Sequence, residues 1–164
     1  MALSVVLTLW FLSGIVMMHW GYPSLDREDY LRRTPPLDAT KISPSVSETL
    51  TRAEQPPVAL TLTSFDDRPV YYEGAAMIYA DDGSRQGAVD QAMMDRAATT
   101  WTGRPLNEAT RTVVRDVDQW TLGDGMRSLM PLVKYSWSDG QQVYVDGNTA
   151  DVVQYTTRAS RLWA

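Results

Sequence analysis

The chain has no cysteine and only one histidine, His19, among its 164 residues. Without cysteine it cannot form a disulfide, a thiolate zinc site, an iron–sulfur cluster or a cysteine nucleophile. A Ser-His-Asp triad needs a histidine beside the nucleophile in water, whereas His19 lies in an apolar segment. No strand is followed by a glycine-rich phosphate loop either. These absences predict that the chain performs no catalysis of its own.

Clusters of basic residues are also missing. The chain carries 15 lysine and arginine residues against 20 aspartate and glutamate residues, which gives a net charge of −5. A surface of this sign repels the phosphate backbone of nucleic acids. The composition therefore predicts no nucleic-acid partner, and no attachment to an anionic membrane leaflet through basic side chains.

Charge is absent from the start of the chain, because the first charged side chain is that of Asp26. The segment from Ala2 to Trp20 is dominated by large apolar residues, and roughly 20 such residues are long enough to span a bilayer. The sequence thus predicts a transmembrane helix within residues 1–25, with membrane lipid as a partner. A cleaved signal peptide is the alternative, although neither a basic start nor a small-residue cleavage site is visible.

His19 lies near the end of this apolar segment. It could be an axial ligand of haem or a metal ligand, or simply a polar residue at the membrane interface. A single imidazole cannot build a closed metal site, so a haem site at His19 would need ligands from further transmembrane helices. Because no lysine or arginine precedes the segment, its orientation stays open under the positive-inside rule.

Prolines divide the rest of the chain. Residues 26–37 are predicted to be a linker, since charged residues and prolines follow one another there. A helix is predicted from Pro44 to Ala53, with proline at its first position. A second helix is predicted over Gly87–Thr102. Its apolar residues recur every four positions: Val89, Met93, Ala97 and Trp101.

The other apolar runs are short, rich in β-branched residues and separated by turn signals, which is typical of strands in hairpins. The predicted strands are Val58–Phe65, Val70–Tyr79, Val113–Val117, Leu132–Trp137, Gln142–Val145 and Val152–Thr156. We therefore expect an α+β fold in which helices pack on an antiparallel sheet. This domain is predicted to span residues 38–157, with residues 158–164 approaching a possible second membrane helix.

A short pattern occurs twice: a proline, an apolar β run, a tyrosine, any residue, an aspartate and a turn. The first copy begins at Pro69 and leads to Tyr79, and the second begins at Pro131 and leads to Tyr144. This repetition predicts two copies of a helix-and-hairpin unit that pack into one sheet.

Two groups of side chains could form a site. The acidic pairs Asp66–Asp67 and Asp81–Asp82 could act as an acid and a base or bind calcium, but adjacent acids in turns usually serve local hydrogen bonding, which is the favoured interpretation. Nine aromatic residues could line a peptide groove or complete the core, and the core is favoured. They are Tyr71, Tyr72, Tyr79, Trp101, Trp120, Tyr135, Trp137, Tyr144 and Tyr155.

Four stretches carry a resemblance to a known family. They are SGIVMM at Ser13–Met18, RPVYY at Arg68–Tyr72, DQWT at Asp118–Thr121 and the final stretch Val143–Trp163. In this order and spacing they resemble the PepSY-associated transmembrane proteins of bacteria. The resemblance implies a PepSY-like region on the periplasmic side of the inner membrane, at the front of a longer multi-span protein. It also implies a Thr-Gly-Glu-Val-Val turn at Thr149–Val153, where Ala150 replaces the glycine.

The functions of PepSY proteins imply three candidate functions for this chain. The first is a non-catalytic interaction module that contacts a protein partner or further transmembrane helices. The second is a fragment or subunit of a haem-dependent ferric-siderophore reductase in iron uptake, with His19 as one axial ligand. The third is a module that restrains a peptidase.

Overall fold

A computed structural model describes residues 2–19, 21–43, 45–46, 48, 60–73, 76–123 and 125–163. In these ranges four helices have defined bounds: α1 Ala2–His19, α2 Arg27–Arg33, α3 Gln91–Thr102 and α4 Arg158–Trp163. The strands are β1 Thr61–Phe65, β2 Arg68–Glu73, β3 Ala76–Tyr79, β4 Thr110–Val114, β5 Leu132–Ser136, β6 Gln142–Asp146 and β7 Val152–Thr156. Short 3-10 turns occur at Ala39–Lys41, Leu106–Glu108 and Met126–Leu129.

The strands form two antiparallel sheets instead of the single sheet predicted. Sheet A has the order β1-β2-β3, and sheet B has the order β4-β5-β6-β7. The prediction of one sheet was wrong because it took account of hairpins alone. α3 and its flanking loops separate β3 from β4 in the chain, and each sheet instead turns one apolar face toward a shared core. The α+β class and the antiparallel pairing are those predicted.

The core lies between the inner faces of the two sheets and α3. Sheet A contributes Phe65, Val70 and Met77, and these belong to one buried cluster with the inward residues of β5 and β6. The outer face of sheet A is covered separately, because Tyr71, Ile78 and Ala80 pack with Ile42, Val46 and Leu60. Both faces of sheet A are therefore partly buried, although its strand β1 lies at an edge.

α3 begins later than predicted, at Gln91 instead of Gly87. The reason is local, because the side chain of Asp90 accepts a hydrogen bond from the Met93 amide at 2.8 Å and caps the helix there. The helix ends as predicted at Gly103, whose left-handed φ of +65° suits glycine. Its buried residues are Met93, Met94, Ala98 and Trp101.

The segment predicted to be a linker contains a packed helix. Asp26 and Asp29 form a capping box at the start of α2, in which each side chain accepts from the other residue's amide. Tyr30 of α2 then meets the Trp101 ring edge-on, with 5.1 Å between centroids. Charge along the segment suggested solvent exposure, but the one tyrosine among those charges anchors the helix to the core.

The prediction of a transmembrane helix within residues 1–25 was wrong. Within the part of the chain that is described, no helix combines the length and the apolar character needed to cross a membrane. The hydroxyls of α1 do behave as their spacing suggests, since Thr8 donates to the Ser4 carbonyl and Ser13 to the Trp10 carbonyl, each at 2.8 Å.

The remaining predictions of helices and strands agree with the structure only in part. The helix predicted over Pro44–Ala53 falls mostly outside the described residues, as does the start of the strand predicted from Val58. The strand predicted over Val113–Val117 lies three residues earlier, where Thr110 pairs with Ser136. Residues 158–163 form the short helix α4. The boundaries of the domain itself stay a prediction.

The repeated sequence pattern falls on two hairpins, one in each sheet. Tyr79 pairs with Val70, the residue directly after Pro69. Tyr144 instead pairs with Lys134, three residues after Pro131. The two copies therefore differ in register, and they also differ in the face that they present. Val70 and Tyr79 lie toward the shared core, whereas Lys134 and Tyr144 lie on the other face of sheet B, beside Asp118.

Candidate functional site

A cavity of about 140 Å³ opens between the edge of sheet A and the elements that cover sheet B. We call it the inter-sheet cavity. Four parts of the chain form its walls: α2 and the residues after it, β1 with part of β2, α3, and the loop that leads into β7. The lining residues are Tyr30, Thr34, Pro35, Thr61, Thr63, Ser64, Phe65, Asp66, Tyr72, Arg96, Ala97, Thr100, Ala150, Asp151 and Val152.

β1 provides the longest wall of the cavity. Thr61, Thr63 and Phe65 alternate along the strand and therefore point to the same face. Ser64 points to the opposite face, yet it also lines the cavity, so we infer that the main chain of β1 forms part of the wall. Within the described residues β1 pairs only with β2. Among those residues, no further strand pairs with the other edge of β1, and this strand borders the cavity.

α3 faces β1 across the cavity with Arg96, Ala97 and Thr100. The guanidinium of Arg96 forms an ion pair with Asp66, with 3.1 Å between Nε and Oδ2. Ala97 and Thr100 are short side chains, so they leave the space between the helix and the strand open. The charge of Arg96 is therefore matched at the rim by Asp66, in the β1–β2 turn.

Two tyrosines stand beside the cavity. The Tyr30 hydroxyl donates to the carbonyl of Val152 at 2.8 Å, and the Tyr72 hydroxyl lies 3.5 Å from the carbonyl of Thr149. Burial, and then the negative charge of Asp151, raise the pKa of both hydroxyls. Both therefore stay neutral donors, and they hold the loop before β7 in place.

Asp151 lies on this loop and is the one carboxyl in the cavity that has no cationic partner among the described residues. Burial, and to a smaller extent the nearby charge of Asp146, raise its pKa to about 6, against the opposite effect of the hydrogen bond from the Val152 amide. The preceding residue Ala150 is buried and has a φ of +57°, a conformation that favours glycine.

Replacing Asp151 with asparagine should stabilise the protein at neutral pH. The folded pKa of about 6 exceeds the unfolded value of about 3.9, so the ionised carboxylate disfavours the fold above pH 6 and this cost vanishes as the pH falls below 4. We expect Asp151→Asn to raise the free energy of unfolding by about 2 kcal/mol at pH 7.5 and by about zero at pH 3.5. Urea unfolding at both pH values measures the difference.

Asp116→Asn is the matched control, because Asp116 has an exposed side chain. It should change the free energy of unfolding by less than about 0.5 kcal/mol at both pH values. A loss of stability for Asp151→Asn at pH 7.5 would show that the carboxylate is well compensated in the fold, contrary to the geometry described.

The acidic pairs serve turns and ion pairs, as the favoured interpretation predicted. Asp66 and Asp67 have φ values of +53° and +60° and form the two-residue turn between β1 and β2. Asp81 receives two hydrogen bonds from Arg68, at 2.8 and 2.6 Å. Asp82 accepts from Arg68 at 2.9 Å and from the Ser84 amide at 2.8 Å. In the described residues no group of three potential ligands is placed to hold a metal ion.

Most of the nine aromatic residues lie in the core, as favoured. Tyr71, Trp101, Tyr135, Trp137 and Tyr144 are all buried. Of the nine, Tyr72 lines the inter-sheet cavity. His19, for which a haem ligand and a polar interfacial residue were the two interpretations, is the last residue of α1, and its side chain is outside the described part of the structure.

Two of the lining residues, Tyr30 and Asp151, did not stand out in the sequence. The spacing of Asp26 and Asp29 is a capping-box signal, and it could have placed Tyr30 on a helix. Asp151 has no comparable signal, since an aspartate before a strand is an ordinary turn residue. Its burial results from α2, β2 and the loop coming together in space.

Comparison with known proteins leaves the chain without an assigned relative. No protein-family description, no curated protein and no solved structure matches it. Function therefore has to be argued from the cavity and the strand beside it.

Proposed function

We propose that the chain is a non-catalytic binding module that takes an extended peptide segment of a partner protein along β1. The observation that carries this proposal is the position of the inter-sheet cavity, directly beside the edge of β1. An edge strand offers a row of backbone donors and acceptors to which an extended peptide can add as a further strand. Pockets next to such an edge provide specificity for alternate side chains of the peptide.

The size of the cavity suits one side chain. A cavity of about 150 Å³ is enough to hold a benzene molecule, and the inter-sheet cavity has about 140 Å³. Thr61 and Leu62 at the open end of β1 are exposed, while Ser64 and Phe65 at the other end are buried. A bound peptide would therefore run beside an accessible strand and insert one residue where β1 meets α3.

This proposal develops the interaction module suggested by the PepSY resemblance. The resemblance also suggests that the domain works on the periplasmic side of the bacterial inner membrane, and we retain that location as a proposal that rests on the resemblance alone. Restraint of a peptidase would be one use of a bound peptide segment. The haem-dependent reductase requires further histidines besides His19, and no feature of the described residues favours it.

The test uses a cavity-filling substitution on α3. Ala97 lines the cavity and is half-buried, whereas Ala92 is on the exposed side of the same helix. Ala97→Leu should fill the cavity, and Ala92→Leu should leave it unchanged. The probes are acetylated and amidated nonapeptide pools in which one position is fixed and the others vary. Binding is measured by fluorescence anisotropy with the full chain.

We expect at least one pool to bind, with affinity reduced about tenfold or more by Ala97→Leu and less than twofold by Ala92→Leu, because only the first closes the space for a side chain. Amide hydrogen exchange in β1 should slow on binding, since strand addition uses the edge of β1 that pairs with no other described strand. Urea unfolding confirms that both variants fold. Failure of every pool to bind, or equal binding by both variants, would contradict the proposal.

A further inference from the structure

Asp151 gives the inter-sheet cavity a chemical preference. Its carboxylate accepts from the Val152 amide, and no arginine or lysine among the described residues pairs with it. Arg96 also lines the cavity, but its guanidinium forms an ion pair with Asp66. The charge of Asp146 acts on Asp151, and it is repulsive. The cavity therefore contains a negative charge that the fold itself leaves uncompensated.

We propose that the inter-sheet cavity is a subsite for a cationic side chain, lysine or arginine, whose charged group pairs with the carboxylate of Asp151. This inference rests on the proposed function, since it names the kind of residue that the bound peptide inserts. The cation supplies the partner that the described residues lack, and a half-buried ion pair is stronger than one in water.

The walls of the cavity suit the stem of such a side chain as well as its charge. Tyr30 and Tyr72 line the cavity, and tyrosine rings attract cations in addition to offering apolar surface. Ala97 and Val152 provide further apolar surface. Lysine and arginine combine an apolar stem with a charged end, which matches apolar walls around a single carboxylate.

The preference should depend on pH in the range set by Asp151. Burial raises the pKa of this carboxyl to about 6, so it is ionised at pH 7.5 and mostly protonated at pH 5.0. The other groups around it are the carboxylate of Asp146, the neutral hydroxyls of Tyr30 and Tyr72, and the Arg96–Asp66 ion pair. Asp151 is therefore the group whose charge is expected to change between these two pH values.

The first experiment uses small probes and does not depend on peptide binding. The side-chain carboxyl carbon of Asp151 is followed by NMR during pH titration of the full chain, with Asp151→Asn to assign its signal. n-Butylguanidinium at high millimolar concentration should lower the pKa of Asp151 by about 0.5 unit or more, because a bound cation favours the ionised form. The neutral probe 1-pentanol should not lower it. An equal response to both probes, or none to the cation, would overturn the subsite.

The second experiment compares two nonapeptide pools. One has lysine and the other has norleucine at the peptide position whose contribution to binding is lost in Ala97→Leu. We expect the lysine pool to bind about tenfold more tightly at pH 7.5 and less than about threefold more tightly at pH 5.0. Asp151→Asn should remove the preference at both pH values. The control Asp116→Asn, at an exposed position, should retain it.

The outcomes separate the subsite from the proposed function. Equal binding of both pools, with loss of both in Ala97→Leu, would overturn the cationic subsite while peptide binding stands. A lysine preference that survives Asp151→Asn would also overturn it, since another group would then bind the cation. Absence of binding by every pool contradicts peptide binding, and the n-butylguanidinium titration then decides the cation subsite alone.

Discussion

Replacing Trp101 with alanine should lower the free energy of unfolding by about 3–5 kcal/mol, the usual cost of removing a buried tryptophan. Trp101 is 6% exposed and belongs to the core shared by the two sheets. Its ring packs against Tyr30, and its carbonyl accepts from Arg33 at 3.1 Å. The substitution also removes the ring contact between Tyr30 and Trp101, while the main-chain carbonyl that accepts from Arg33 is retained. Urea unfolding measures the change.

Trp101→Phe is the matched control. The buried indole Nε1 has no hydrogen-bond partner in the described structure, so phenylalanine loses some packing but also removes an unpaired donor. We expect a cost below about 1.5 kcal/mol. Leu122→Ala, at a residue that is 64% exposed, should cost less than about 0.5 kcal/mol. A cost for Trp101→Ala that is no larger than these would contradict its place in the core.

Replacing Asp118 with alanine should lower the free energy of unfolding by about 3 kcal/mol, because several buried donors would lose one acceptor together. Asp118 accepts from the hydroxyl of Tyr144 at 2.7 Å, from the Trp120 amide at 2.9 Å and from the hydroxyl of Thr121 at 3.1 Å. Tyr144 and Thr121 are fully buried. Water therefore cannot easily replace the lost carboxylate.

The cost of this change should depend on pH. Burial acts to raise the pKa of Asp118, but the hydrogen bonds from Tyr144, Trp120 and Thr121 outweigh it and leave the pKa below its ordinary value. A carboxyl with a lowered folded pKa contributes stability above its unfolded pKa of about 3.9 and loses it as the pH falls through the folded value. The difference between wild type and Asp118→Ala should thus shrink in acid.

Asp116→Ala is the control for this second prediction, since Asp116 is two residues away and exposed. It should cost less than about 0.5 kcal/mol at pH 7. The measurement is urea unfolding at pH 7 and again below pH 3. An equal cost at both pH values would show that the carboxylate charge of Asp118 adds nothing to the neutral hydrogen bonds.

The two acidic residues Asp118 and Asp151 show why the structure was needed to interpret them. Both are half-buried aspartates next to strands of sheet B. Asp118 has donors on both oxygens and a lysine nitrogen 3.7 Å away, so its pKa falls. Burial, and then the like charge of Asp146, raise the pKa of Asp151, and its one amide donor does not offset them. The surroundings that distinguish them come from distant parts of the chain.

The sequence by itself determined the local features of this protein. The alternation in β7 and the turn residues at Asp66–Asp67 and Gly103 act over a few residues, so strand bounds, the hairpin turn and the helix end could be predicted from them. Composition likewise excluded cysteine chemistry. The transmembrane prediction was wrong, because an apolar run in the sequence was equated with a membrane span.

Only the tertiary structure decided how these pieces combine. The division into two sheets, the docking of Tyr30 on Trp101 and the inter-sheet cavity all depend on contacts between residues far apart in the chain. Side-chain periodicity shows which face of an element is apolar, but it does not show which other face covers it. The charge state of Asp151, on which the proposed cationic subsite depends, follows from its burial by elements that are distant in the chain.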